Sequence, residues 1–281
     1  MANFLPVEKK ILVLNSLVEG NSVSSVVRMT GVNKRTVLRL LCEAGARAAE
    51  ILDREIVNLK TRYVQVDEIW AYIQKKEKRC SVVEKIRGNV GDAYTFVAID
   101  SESKLVISYL VGRRTVGNAY HIMKDLQYRI PNLFQLSTDA FKPYRDVVDS
   151  VFGTEINYGQ VHKSYAEDQK GEKRYSPAQI VSIDLKAIIG QPRRNRISTS
   201  HVERQNLTMR MNMRRFTRLT NAFSKKWENH AAAVALHFYH YNFMRIHQTL
   251  RVTPAMQAGV TKHVWTWEEF LGIRRAEKIA A

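Results

Sequence analysis

At Tyr63 the apolar pattern of the chain changes period, and the order of elements that follows leaves few folds open. The segment YVQVDEIWAYI (63–73) is rich in β-branched and aromatic residues and predicts a central strand. AYTFVAID (93–100) and LVISYLVG (105–112) predict two more, and Ser101-Glu102-Ser103-Lys104 between them suits an antiparallel hairpin. Ala119, Ile122, Met123 and Leu126 recur at helical spacing over 116–128, after which FQLSTD (134–139) predicts a short strand parallel to the first. Pro143 opens a further helix over 143–152, and EINYGQV (155–161) reads as a fifth strand. Another extended run, QIVSIDLKAII, lies within the polar stretch 162–197. Beyond Ser198 the pattern is helical, with an apolar piece at 231–243, until Thr253-Pro254 breaks it. Three antiparallel strands, a helix, a parallel strand, a helix, a fifth strand and more helix is the order expected of a ribonuclease-H-like fold. The expected class is α/β, a mixed sheet with flanking helices.

Ahead of the sheet the sequence is helical. Ile11, Leu12, Leu14 and Leu17 predict a first helix that Gly20-Asn21-Ser22 stops. The next stretch reads as helix (23–30), turn at Gly31-Val32-Asn33, and helix (34–42), a helix-turn-helix pattern. Gly31 suits the left-handed turn position, and Val26, Val32, Val37 and Leu40 make a small shared core. Lys34, Arg35 and Arg39 then point outward, as groups entering a DNA groove would; a helical packing module is the plainer reading. The expected organisation is a helix-turn-helix domain at 1–45, a helical connector at 46–60, the ribonuclease-H-like domain at 61–245 and a basic tail at 246–281.

With 44 Lys and Arg against 27 Asp and Glu, the formal net charge of +17 favours a polyanionic partner. The chain shows neither a run of about 18 apolar residues nor a leader pattern in MANFLPVEKKILVL, so a cytoplasmic protein with no membrane partner is expected. Two cysteines, Cys42 and Cys80, are too few for a structural zinc site of thiolates or a disulfide framework.

The most basic part of the chain holds Arg193, Arg194, Arg196, Arg204, Arg210, Arg214, Arg215 and Arg218, and among them a single acid, Glu203. Phosphates suit the arginines, and a catalytic cation held against those phosphates suits the acid. Asp67 lies in the middle of the first predicted strand, Asp139 directly follows the fourth, and Glu203 begins a helix that would pack across the sheet, so the three are candidates to meet in space. Two Mg²⁺ or Mn²⁺ ions about 3.5–4 Å apart need shared carboxylate oxygens of this kind. Each acid also has a structural reading: Asp67 on a solvent-facing strand position, Asp139 as a helix cap, Glu203 as the far end of a capping box begun by Ser200. Asp100 suits a turn role, and Glu68, next to Asp67 on a strand, should face the opposite side of the sheet. Arg210, two helical turns after Glu203, is a candidate to grip the nucleic acid, with Arg204 and Arg214 beside it. His201 either assists near the cations or sits hydrogen-bonded; His230, His237, His240 and His247 read as packing and surface residues, and Phe238, Tyr239, Tyr241 and Phe243 as core.

Over about 17–260 the chain resembles the DDE transposases of bacterial insertion sequences, in particular the IS-one family. VEGNSVSSVVRMTGVNKRTVLRLL, VDEIWAYI and STDAFKPY are similar to that family's helix-turn-helix and two aspartate motifs. STSHVERQNLTMRMNMRRFTRLTNAFSKK, followed by YNFMRIHQTLRVTPAMQAG, is similar to its glutamate helix. The resemblance implies Asp67, Asp139 and Glu203 as a metal-binding catalytic triad and Arg210 as the basic residue that follows the glutamate. Two departures stand out: Cys42 and Cys80 cannot build the cysteine-rich zinc element of some members, and Thr199 stands where wider DDE groups carry a tyrosine and arginine shortly before the glutamate.

The function implied is DNA transposition and DNA recombination by a transposable element's own enzyme. The helix-turn-helix would bind terminal inverted repeats of double-stranded DNA, and magnesium-dependent strand cleavage would precede joining to target DNA. A homo-oligomer is expected, because two element ends must be held together, and nucleoid association when DNA-bound. The rivals are a nuclease of the same fold that never joins strands, and a non-catalytic DNA-binding regulator.

Overall fold

The computed structural model describes residues 4–166, 179–217 and 221–273. The chain divides into two compact units, one of Val57–Ile69 and Tyr94–Asn206, the other of Met1–Ile56, Trp70–Ala93 and Leu207–Ala281.

The first unit is built on a mixed sheet. Its strands are β1 (Tyr63–Ile73), β2 (Gly91–Asp100), β3 (Val106–Gly112), β4 (Gln135–Asp139), β5 (Asn157–Tyr165) and β6 (Ile180–Ile189), in the order β3-β2-β1-β4-β5-β6. β2 and β3 form the expected antiparallel hairpin, turned by Asp100, whose carboxylate accepts from the amides of Glu102 and Ser103. β1 and β4 run parallel in register from Tyr63↔Gln135 to Val66↔Thr138, and β4 and β5 continue parallel to Asp139↔Val161. Both faces of the middle are covered: Tyr63, Val64, Gln65 and Val66 are all buried, as are Phe96, Val97, Ala98 and Ile99 of β2. Continuous burial of this kind marks strands with layers on both sides. Helices α5 (Val116–Arg129) and α6 (Pro143–Phe152) supply cover through Ile122, Met123, Leu126, Tyr144, Val147 and Val148. Gly159 on β5 admits Ile197, whose side chain would lie 2.6 Å from any Cβ there. The extended run at 179–189 becomes β6, paired antiparallel to β5.

The second unit is mainly helical. Helices α1 (Val7–Val18), α2 (Val23–Thr30) and α3 (Lys34–Glu55) follow one another, with Ser22 Oγ capping α2 and Asn33 Oδ1 capping α3. Gly31 turns the chain between them at φ 69°, and Val26, Val32, Val37 and Leu40 are buried. α3 runs unbroken for 22 residues through the stretch read as a connector, because Leu41, Ala44, Ala48, Ile51 and Leu52 extend its apolar face. That face packs on α8 (Trp227–Tyr239), which ends in one turn of wider π winding at His240–Met244. Residues 74–90, without a sequence reading, form a 3-10 turn and the short helix α4 (Val82–Arg87) with a Ser81–Glu84 capping box. Helix α7 (Ser200–Asn212) carries the glutamate motif; its residues to Asn206 belong to the first unit and those from Leu207 to the second. Beyond it, α9 (Pro254–Gln257) and α10 (Trp267–Leu271) fold the segment read as a tail, with Phe270 fully buried 4.6 Å from the Tyr239 ring. Among the described residues, no helix is long and apolar enough to cross a membrane.

The α3–α8 contact depends on Gly45, where an added Cβ would fall 2.4 Å from the Cα of Ala232. Alanine is the better helix former by about 1 kcal/mol, but overpacking against helix backbone costs about 1–3 kcal/mol. Gly45→Ala should therefore lower Tm by several degrees in a thermal melt, whereas an intrinsic helix preference alone would raise it.

Candidate metal centre

The first unit's carboxylates collect where the β1–β4 ladder ends. Val66 and Thr138 are the last register pair of that ladder, and Asp67 and Asp139 are the residues immediately after them. Like-charged groups on neighbouring parallel strands are thereby fixed close together by backbone pairing alone. Gln65, buried on β1, accepts from the amides of His201 (2.8 Å) and Val202 (3.2 Å), so the first turn of α7 is tied directly to the strand that carries Asp67. Those amides have no intrahelical acceptor, which is why a side-chain oxygen there anchors a helix. One turn on, Asn206 Nδ2 donates to Asp67 Oδ2 at 3.0 Å.

Around Asp139, Oδ1 accepts from the Phe141 amide (3.0 Å) and Oδ2 from Arg114 (3.2 Å). Asp139 therefore closes a local turn and does not cap α6, whose cap position is Lys142. Arg114 also donates Nε to Glu68 Oε2 at 2.9 Å, and its guanidinium lies over the Phe141 ring at 4.0 Å. The Tyr144 hydroxyl donates to Glu68 Oε1. Oxygens of Asp67, Glu68 and Asp139 all lie within 4.8 Å of one another.

The electrostatics follow from this crowding. Burial, then the charge of Asp139, pushes the Asp67 carboxyl up to about 6; Glu203 adds to the rise and Asn206 opposes it. Burial likewise pushes Glu68 up to about 7, against the Tyr144 hydrogen bond and the Arg114 charge. Burial would lower Arg114, but Glu68 and Asp139 more than offset it and its pKa is raised. Burial and the neighbouring Glu68 hold the Tyr144 hydroxyl well above its ordinary range. An all-oxygen donor set whose members repel one another suits a hard divalent cation such as Mg²⁺ or Mn²⁺, which relieves the repulsion and accepts carboxylate ligands.

Two of the sequence-predicted acids, Asp67 and Asp139, are in this group and the third is not. Glu203 Oε1 accepts from Thr199 Oγ1 (2.5 Å) and from Lys163, so its charge is shared with a lysine on β5. It is near enough to raise the Asp67 pKa. The capping box expected at Ser200 is not formed, since the Ser200 amide donates to Ser198 Oγ instead. The expectation for Glu68 is corrected: it joins Asp139 and does not stand apart as a residue of the opposite face. Strand alternation fixes where a Cβ points, but here the β1–β4 pairing has ended and the longer glutamate is drawn in by Arg114 and Tyr144.

Of the other candidates, His201 lies 3.3 Å from Lys104 Nζ through either ring nitrogen. Arg204 is exposed on α7, Arg210 is half-buried in its last turn, and Arg214 is exposed just beyond it. Arg218 lies outside the described residues. Lys34, Arg35 and Arg39 are exposed at the start of α3, with Arg39 3.7 Å from Glu43. His230, His237 and His240 are buried packing residues, with burial pushing the first two down to about 3 and the third to about 4. Phe238, Tyr239, Tyr241 and Phe243 are core. Cys42 and Cys80 are free thiols. Sequence reasoning missed Glu68, Arg114, Tyr144, Lys163 and Asn206. Asn206 was reachable, standing one helical turn from Glu203; nothing near Arg114 or Lys163 in sequence points to an acid.

A scan of the chain against protein-family models and a search of curated proteins found no match.

Because the Asp67 carboxyl is raised to about 6 from 3.8, its ionised form is the disfavoured one in the folded, cation-free protein. The destabilisation is fully present above about pH 6 and is relieved as pH falls toward 4. Asp67→Asn, which keeps a side-chain oxygen for Asn206, should stabilise the cation-free chain at pH 7.5 by on the order of 1–3 kcal/mol. Denaturant melts should show that gain disappearing by about pH 4.

Proposed function

We propose that the chain is a DNA transposase of the DDE type, which cleaves and joins DNA strands with divalent cations. The observation that carries this reading is the convergence of Asp67, Glu68 and Asp139 at the end of the β1–β4 ladder, their oxygens within 4.8 Å of one another. The strand order, the antiparallel β2–β3 hairpin and the parallel β1–β4 and β4–β5 pairs support a ribonuclease-H-like sheet, in which acids cluster at this place.

Asp67 and Asp139 would hold the cations, with Glu68 or Glu203 completing the set. Bound there, Mg²⁺ would lower the pKa of an attacking water or 3′-hydroxyl and stabilise a leaving 3′ oxygen. The chain's own groups supply the rest. Asn206 orients Asp67 through Oδ2, and the Phe141 amide and Arg114 orient Asp139 through Oδ1 and Oδ2, so a cation binding Asp139 would compete with Arg114 for Oδ2. Arg114 holds Asp139 against Glu68 and offers a positive charge beside the place where a phosphodiester would lie. Glu203, neutralised by Lys163, is one ion-pair exchange away from acting as a ligand.

The α2–turn–α3 arrangement supports a helix-turn-helix in which Lys34, Arg35 and Arg39 reach the inverted-repeat ends, and the net charge of +17 supports a DNA partner. Arg204, Arg210 and Arg214 would contact phosphates. Coordinated joining of two ends makes a homo-oligomer the working form.

Asp139→Asn should abolish Mg²⁺-dependent cleavage and strand joining on duplexes carrying the element's own ends, by at least about 100-fold, while gel-shift affinity for the same duplex changes less than about two-fold. Cleavage without any joined product from the wild-type chain would identify a nuclease. Binding with neither reaction would identify a regulator. Joining that survives the substitution would remove Asp139 from its assigned role.

A further inference from the structure

We propose that the helical unit carries a second site, a cavity of about 440 Å³ that binds a phosphate group through Arg215. The cavity lies wholly within the unit that contains α1–α3 and α8, and none of the clustered carboxylates belongs to it.

The cavity is lined by Lys34, Arg214, Arg215 and Lys225, and among the described residues no aspartate or glutamate lines it. Lys34, Arg214 and Lys225 are exposed, so the charge that calls for a partner is Arg215, whose guanidinium is desolvated by burial. Among the described residues its hydrogen bonds both leave from Nη1, to Ser224 Oγ (3.2 Å) and the Asn229 carbonyl (2.5 Å), and both acceptors are neutral. Ser224 is itself fixed by His230 Nδ1 at 2.9 Å, so one edge of the guanidinium is held firmly. A guanidinium carries five N–H donors, and among the described residues only Nη1 is engaged. Burial pushes the Arg215 pKa down to about 10, with only the Cys42 thiol opposing, so it remains a cation at neutral pH with no carboxylate acting on it. The acid Glu228 is exposed on α8 and acts instead on Cys42.

A second, independent feature points the same way. His237 lines the cavity, is only 2% exposed, and neither of its ring nitrogens has a hydrogen-bond partner among the described residues. A buried imidazole with both nitrogens unmatched is costly unless something in the cavity completes it. The first turn of α2 also lines the site through Ser22, Val23 and Ser24. Ser22 Oγ takes the Ser25 amide, and the preceding amides of the turn have no intrahelical acceptor, so this end of the helix attracts an anion.

Guanidinium, ammonium, imidazole and helix-start amides together offer more donors than a flat carboxylate can accept, and a tetrahedral phosphate satisfies more of them. The phosphate belongs either to a nucleic-acid backbone or to a free phosphate ester; the chemistry of recognition is the same.

The test is a titration of the full chain with inorganic phosphate, followed by ³¹P line broadening and thermal shift, against chloride at matched ionic strength. The wild-type chain should give saturable broadening and a rise in Tm that chloride does not reproduce. Arg215→Gln should weaken phosphate binding at least ten-fold. Since that substitution also removes two structural hydrogen bonds, Ser24→Glu is the companion variant. Ser24 is exposed in the first turn of α2, where an acid favours the helix, so the variant should melt no lower than wild type without phosphate yet lose phosphate binding as fully. Displacement of a labelled mixed-sequence duplex by phosphate would assign the site to the nucleic-acid backbone; phosphate binding without displacement would assign it to a free ester. Either result upholds the site. A wild-type chain that responds to phosphate no more than to chloride, or a Ser24→Glu chain that binds phosphate with wild-type affinity, overturns it. Asp67→Asn leaves the phosphate response unchanged, which keeps this result separate from the fate of the carboxylate site.

Discussion

Repulsion between Asp67 and Asp139 is the constraint around which the sheet unit is organised. Parallel pairing of β1 with β4 brings the two residues together whatever their charges, and the surroundings then have to make that tolerable. Asn206, the Phe141 amide and Arg114 each take one carboxylate oxygen, and Gln65 fixes the start of the helix that brings Asn206 into place. What remains is an Asp67 carboxyl pushed up to about 6, first by burial and then by the charge of Asp139. A fold concerned only with stability gains nothing from setting two acids side by side, since like charges repel and Asp67 is largely desolvated. Perturbed carboxyls in a geometrically defined cluster are the kind of arrangement that chemistry requires.

The third acid shows how such a site can be partly assembled. Glu203 was a candidate carried chiefly by the family resemblance, and its carboxylate is engaged by Thr199 and Lys163, while Glu68 stands with the aspartates through Arg114 and Tyr144. Two cations, Arg114 and Lys163, thus hold two glutamates in separate places beside one aspartate pair. A divalent ion bound there would compete with both cations for the glutamate oxygens.

Much of this was legible in the sequence. β1 at 63–73 and α6 at 143–152 have the limits their patterns give, because a β-branched run beginning at Tyr63 and a proline at the first helical turn are local signals that burial reinforces. The positions of Asp67 and Asp139 followed from strand order alone. Glu68 was misplaced because strand alternation governs Cβ direction, whereas the position of its carboxylate depends on Arg114, distant in sequence, and on where the ladder stops. The helix read at 34–42 and the helical connector read at 46–60 are one helix to Glu55, and Gly45 within it is a contact glycine that lets α8 approach. The buried tail residues Trp267 and Phe270 escaped notice because α10 is too short to show a period.

Charge is managed differently in the two units: carboxylates short of cations in the sheet unit, and in the helical one a cation, Arg215, short of an anion. Both patterns are what a protein that handles phosphodiesters would carry. The most direct measurement of the central claim is Mn²⁺ binding followed by electron paramagnetic resonance on the wild-type chain and on Asp67→Asn and Asp139→Asn. The account predicts binding by the wild-type chain that falls at least ten-fold in each variant. Equal Mn²⁺ affinity in all three would contradict it and leave the clustered carboxylates without a chemical purpose.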